Sequence, residues 1–304
     1  MRFILLLLGF AYLHFAAVTA QAGTSSGPRV LVVVAHPDDE YYFAATLYRL
    51  AKEKNATVDE MILTSGEGGF RYADLALPIY DLNLKDEAVS LKHLGQIRQR
   101  EAKNAAKILG IHESIFLSVK DFGYTRDLNE TLKKWDTSGI QKKILDQLSK
   151  YPYDAIFVLA PIESTHGHHK AASLLTLQAI AELPMDKRPL VFAGVIDVRT
   201  RPFADSEHEV EVTEGRSFKM LPGFPVSKID SDARVFSVDR NQRFGFHEKL
   251  SYQIVVNWMI AEHKSQGLLQ TLINRDDEEK FKLFSISGPD SAKRAVLFFD
   301  PLKK

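Results

Sequence analysis

The chain has 304 residues, 45% of them hydrophobic and 26% charged, with acidic and basic side chains in equal number. That is the composition of an ordinary globular protein. A formal net charge of zero provides no field to draw the chain to nucleic acid or an anionic membrane. The lack of cysteine excludes disulfides, thiolate-held zinc and a cysteine nucleophile.

The start of the chain reads as a secretory signal peptide over residues 1–22. Arg2 is followed by an apolar stretch from Phe3 to Val18, then by Ala20-Gln21-Ala22 as a small-residue cleavage site. The apolar stretch is shorter than the ~20 residues that a membrane span needs; an uncleaved anchor is the alternative. Cleavage would leave a secreted or periplasmic protein with no cysteine for lipid attachment and no membrane span. Residues 23–28 read as a flexible leader. Residues 29–304 read as one domain, with a core at about 29–199 and a C-terminal portion at about 200–304.

Arg29 to Ala35 is a β-branched run without alternation, the pattern of a strand buried on both faces. Pro37 and two aspartates then open a helix reaching about Lys54. Val58 to Thr64 is a strand, and Gly66 to Leu94 a long connection of the length usually kept for function. A helix follows from Gln96 to Leu109, stopped by Gly110. Ser114 to Val119 is a strand, Gly139 to Lys150 a helix, Asp154 to Ala160 a strand, His168 to Leu183 a helix and Leu190 to Val198 a strand. The polar stretch Arg199 to Arg240, with three prolines, receives no assignment. A helix from Phe244 to His263 and short strands near Phe281–Ile286 and Ala295–Phe299 close the chain. The alternation predicts a Rossmann-like α/β fold: a mostly parallel sheet with helices on both faces, plus a smaller C-terminal α+β portion. In such folds ligands bind outside the carboxyl ends of the strands.

Two motifs fall at such ends. His36-Pro37-Asp38-Asp39-Glu40 follows the first strand. His36 and Asp39, three positions apart on a tight turn, can converge on one ion, and imidazole with carboxylate suits zinc. Asp38 then stands beside the metal as a general base. The alternative is plain helix capping by the two aspartates. His166-Gly167-His168-His169 follows the strand ending at Ala160. Here one histidine can bind metal while another donates a hydrogen bond; a surface histidine cluster is the alternative.

The first motif resembles the signature of the LmbE-like, or PIG-L, deacetylase family. Thr64-Ser65-Gly66-Glu67-Gly68-Gly69, Arg98-Gln99-Arg100-Glu101 running to Leu109-Gly110, His166 to His169, and His263-Lys264-Ser265-Gln266 are similar to further family segments in the same order. Where the family often has H-P-D-H, this chain has Gly167 and His168 in the middle. The resemblance implies metal ligands at His36, Asp39 and His169, a general base at Asp38, and His166 as the histidine that steadies the tetrahedral intermediate. It implies one Zn2+ per chain, with other divalent metals able to take the same ligands. The activity implied is removal of an acetyl group from an N-acetylated, GlcNAc-type sugar or glycoconjugate. The same amidase chemistry on a non-sugar N-acyl compound, or a non-catalytic secreted sugar-binding protein, are the alternatives.

Glu67, Arg98, Asp121 and His168 are weaker candidates for substrate contact. Phe70, Arg71, Tyr72 and Tyr80 are candidates for a sugar-stacking lid. His263 and Gln266 read as structural.

Overall fold

The structure, a computed structural model, describes residues 27–197, 214–275 and 277–303. The expected signal peptide, most of the leader, the last residue of the strand expected to end at Val198, and residues 199–213 of the unassigned stretch lie outside the described residues.

Five strands run parallel: β1 (Arg29–Val34), β2 (Thr57–Thr64), β3 (Glu113–Val119), β4 (Ala155–Leu159) and β5 (Leu190–Asp197). β6 (Phe236–Asp239) comes next, then a separate hairpin of β7 (Arg243–Phe244) and β8 (Leu250–Ser251), then β9 (Glu278–Leu283). β9 is antiparallel to both β5 and β6, so the seven-stranded sheet has the order β3-β2-β1-β4-β5-β9-β6. The mostly parallel α/β sheet expected from the strand–helix alternation is present, and the C-terminal strands extend that same sheet.

β1 shows why its hydrophobic run does not alternate. Val30, Val32 and Val34 pack into one core, and Leu31, Val33 and Ala35 into another on the opposite face. The first core is closed by α1 (Ala44–Tyr48), by α3 (Glu87–Leu109), which follows the short α2 (Leu77–Tyr80), and by the helix Tyr252–Glu262. The second is closed by α4 (Leu128–Lys134), α5 (Thr137–Lys150) and α6 (Gly167–Glu182). Each strand face therefore meets apolar side chains, as a buried parallel sheet requires.

Several boundaries differ from the sequence expectation. α3 begins at Glu87 rather than Gln96, capped by Asp86, which accepts from Val89 N at 3.0 Å. Gly95 had masked this continuity; it is there because a Cβ would lie 3.0 Å from Ser65 Cβ. The stretch after Pro37 is not one helix but a 3-10 turn, α1 and a π turn. Helix α4 was not foreseen; Asp127 caps it by accepting from Asn129 N and Glu130 N. The helix expected from Phe244 starts only at Tyr252, because Gly245 at φ 53° turns the chain into the β7–β8 hairpin. Ala295–Phe299 is helical rather than a strand. It belongs to Ser291–Phe299, in which Ala295 and Phe299, one turn apart, are both buried.

Two stability predictions arise here. Gly194 on β5 faces the Phe43 ring so closely that an added Cβ would collide with it. Gly194→Ala is expected to cost about 1–3 kcal/mol by overpacking, measured as a lowered denaturant midpoint at unchanged slope. Glu60 on β2 is fully buried, and burial, reinforced by Glu40, pushes its carboxyl up to about 8 from 4.5. Between those values the folded chain keeps a proton that the unfolded chain has lost, so stability falls as pH rises across that window. Glu60→Gln removes this titration. It is expected to stabilise the protein at pH 8 by on the order of a few kcal/mol and much less at pH 4, read from unfolding curves at the two values.

Candidate metal centre

The neighbours of β1 are β2 on one side and β4 on the other, so the chain's winding reverses between β1 and β4. The crevice outside their carboxyl ends is the topological switch point, where open α/β sheets bind ligands. The loop after β1 carries His36 to Glu40, and the turn entering α6 carries Thr165 to His169.

Asp39 anchors the first loop. Its Oδ2 accepts from Ala35 N at 3.1 Å and from His36 N at 2.8 Å. Its Oδ1 lies 3.0 Å from His169 Nε2, and His36 Nδ1 lies 3.1 Å from the same nitrogen. Burial works against the Asp39 charge, but the attraction of His169 and His36 and their hydrogen bonds prevail and hold the carboxyl well below its usual range. One ligand atom from each of His36, Asp39 and His169 falls within 4.8 Å of the others. Two imidazole nitrogens and one carboxylate oxygen form a donor set that fits a divalent transition metal, and three protein ligands leave a coordination position open.

Asp38 has φ 134°, a backbone conformation that side chains rarely adopt. Arg98 on α3 holds it: Nη2 lies 2.8 Å from Asp38 Oδ1 and donates to Pro37 O at 2.6 Å, and Nη1 donates to Gly66 O at 2.9 Å. Burial raises the Asp38 carboxyl above its usual value, with neighbouring Asp39 adding to the effect and Arg98 opposing it.

His166 caps α6, its Nδ1 accepting from His168 N at 3.0 Å. In the neutral ring the proton must then sit on Nε2. Burial, and then the three neighbouring histidines, lower its pKa and keep it neutral. His168 turns away from the pocket. It is fully buried against Phe122 and Trp135, with ring centroids 4.4 and 4.9 Å away, and its Nδ1 lies 3.1 Å from His36 Nε2. Burial is the main reason its pKa falls to about 3. His36, His166 and His168 form a second, overlapping group with metal-ligand spacing.

A pocket of about 410 Å³ opens at this cluster. His36, Asp38, Asp39, Arg98, Asp121, His166 and His169 all border it. Glu67 and His168, the other two candidates for substrate contact, are not in its lining. Glu67 spends Oε1 on Asp121 N at 3.1 Å, and His168 is sealed behind His36 by aromatic rings. Of the expected lid, Phe70, Arg71 and Tyr72 line the pocket, but Tyr80 donates to Glu101 at 2.5 Å and lies elsewhere. Phe122, Tyr124, Leu268, Leu269 and Leu272 also line it and had drawn no attention; nothing in their spacing distinguishes them from core residues. Gln266, read as structural, borders the pocket as well. A separate cluster of Asp59, His112 and Glu113 has metal-ligand spacing, but Asp59 is bonded to Arg29, Tyr153 and His112.

Fold and site together define a doubly wound α/β protein with a histidine–aspartate cluster at its switch point. Residues 31–180 match the family model described as PIG-L, GlcNAc-PI de-N-acetylase, and over that span the chain resembles the family. One relative, from Bacillus cereus, is named probable N-acetyl-alpha-D-glucosaminyl L-malate deacetylase 2; it is 26% identical over 167 residues, which cover 55% of this chain and 67% of the relative. Among solved structures, a 4-carboxy-2-hydroxymuconate hydratase from Pseudomonas putida is 22% identical with a TM-score of 0.42. That match covers 55% of this chain and 65% of the hydratase. An N,N'-diacetylchitobiose deacetylase from Pyrococcus horikoshii is 16% identical with a TM-score of 0.40, covering 87% of this chain and 88% of the other.

Proposed function

We propose that the protein is a zinc-dependent amidase that removes the acetyl group from an N-acetylated, GlcNAc-type sugar or glycoconjugate. The observation that carries this reading is the meeting of His36, Asp39 and His169 on the pocket wall with Asp38 beside them. The family match over residues 31–180 supports the reaction type, and the B. cereus relative's name supports an N-acetylated glucosamine derivative as the substrate class. The ligand trio with the carboxylate is preferred over the all-histidine trio because Asp39 offsets the ion's charge, and because the rings of Phe122 and Trp135 enclose His168.

A divalent ion held there supplies Lewis acidity, polarising the amide carbonyl and acidifying water. Asp38 takes the proton from the attacking water and passes it to the departing amine, so the products are acetate and a free amine. Arg98 keeps the Asp38 carboxylate aimed at the pocket. His166 donates from Nε2 to the oxyanion that develops on the carbonyl, an interaction that commonly contributes about a hundred- to thousand-fold in rate.

The test is metal analysis of the purified protein with an acetate-release screen over N-acetylated sugars and glycoconjugates. About one zinc per chain and acetate release support the reading; metal-loaded protein inert on the whole panel removes it. The apolar wall formed by Phe70, Leu268, Leu269 and Leu272 favours including N-acyl compounds without a sugar, and turnover confined to them would select that alternative. The N-terminal pattern makes the protein an exported one. N-terminal sequencing of protein recovered outside the cytoplasm should begin at Gly23, and intact Met1 or Arg2 would oppose export by cleavage.

A further inference from the structure

We propose that His263 is a positioning residue for Asp38, acting through Glu40. The proposal rests on Asp38 being the base of the reaction suggested above. Asp38 occupies a strained backbone conformation, φ 134° and ψ −14°. Such a residue keeps its geometry only where its surroundings over-determine it. Arg98 holds the carbonyl before it and its carboxylate. Its own carbonyl accepts from Tyr41 N at 3.1 Å, and its own amide is held by Glu40: Asp38 N donates to Glu40 Oε2 at 2.9 Å.

Glu40 is fully buried, so its carboxylate cannot turn to water. Its other oxygen, Oε1, meets His263 Nε2 at 2.5 Å across 223 positions of sequence. His263, itself fully buried, sits at the C-terminal cap of the helix Tyr252–Glu262. The turn after it is tied to α3: Ser265 N and Oγ donate to Glu101 Oε1 and Oε2 at 2.8 and 2.6 Å. Glu101 lies one turn from Arg98 on that helix, so α3 braces both arms that hold Asp38. The family match ends at residue 180. The C-terminal portion thus supplies a part of the site that the matched segment lacks. Without the His263 donor, Glu40 Oε1 is left buried with its hydrogen bond unmade. It must then reorient, and the Asp38 amide loses its acceptor.

The test uses the full chain loaded with zinc. His263→Leu should lower kcat by about a hundredfold, with KM and zinc stoichiometry within about twofold of the original. His263→Gln keeps an N–H donor and should recover about tenfold of that loss. Should His263→Leu fail to fold, His263→Asn, which is polar but too short to reach Glu40, takes its place with the same expectation. Unchanged kcat, equal losses in the Gln and shorter variants, or loss of zinc in step with activity would overturn the proposal. A crystal structure of the His263 variant gives a readout independent of turnover. Asp38 should relax out of positive φ, and its retention there would overturn the proposal even if the original protein released no acetate. Acetate release that survives Asp38→Asn removes Asp38 as the base and with it the premise of the proposal, whereas metal-loaded protein inert on every N-acetylated compound fails the amidase reading and leaves the backbone readout to decide this one.

Discussion

Asp38→Asn is expected to lower acetate release by about 10²–10⁴-fold while the protein still binds its zinc. Asparagine has the same shape but cannot take a proton from water. Nothing in the metal cluster is disturbed, since the atoms that converge come from His36, Asp39 and His169. Arg98 can still donate to Pro37 O and Gly66 O, so the loop should keep its course. Loss of rate with metal content preserved would separate a base from a ligand. An asparagine variant as fast as the original would leave the attacking water without a base, and the mechanism would have to be redrawn.

The second large effect is expected at His169. His169→Ala should abolish activity and weaken zinc binding by more than about a hundredfold, beyond the loss typical of residues that merely support a ligand. Competition with a chelator measures it directly. Asp39 is a less clean target, because its Oδ2 also accepts the Ala35 and His36 amides, and its removal would loosen the loop as well as the metal. The contrast between the two variants is informative. Asp39→Ala should lose metal affinity and much of the loop's thermal stability together, whereas His169→Ala removes one partner of the Asp39 carboxylate but none of the amide bonds that fix the loop, and should lower the unfolding midpoint of metal-free protein less. Zinc held by His169→Ala as firmly as by the original against the chelator would point to the histidine trio of His36, His166 and His168.

Sequence alone determined the class of fold and the location of the site. Uninterrupted apolar runs such as Val30 to Ala35 can be satisfied only between two covered faces, and histidines and carboxylates clustered after two such runs fall at neighbouring strand ends once the sheet is parallel. Local chemistry of this kind is written within a few consecutive residues. Tertiary structure decided what depends on contacts between distant segments. Ala295–Phe299 reads as a strand until the core shows that Ala295 and Phe299, one helical turn apart, face inward together. His168 and Glu67 look equally available for substrate in one dimension, yet His168 packs against Phe122 and Trp135 and Glu67 accepts from the Asp121 amide, and neither lines the pocket. Arg98 looks like a free cation on a helix until the loop carrying Asp38 closes over it. His263 meets Glu40 only because the last long helix described ends where the first turn begins. Burial and hydrogen-bond partnership are properties of assembled neighbours, and no stretch of sequence contains its neighbours.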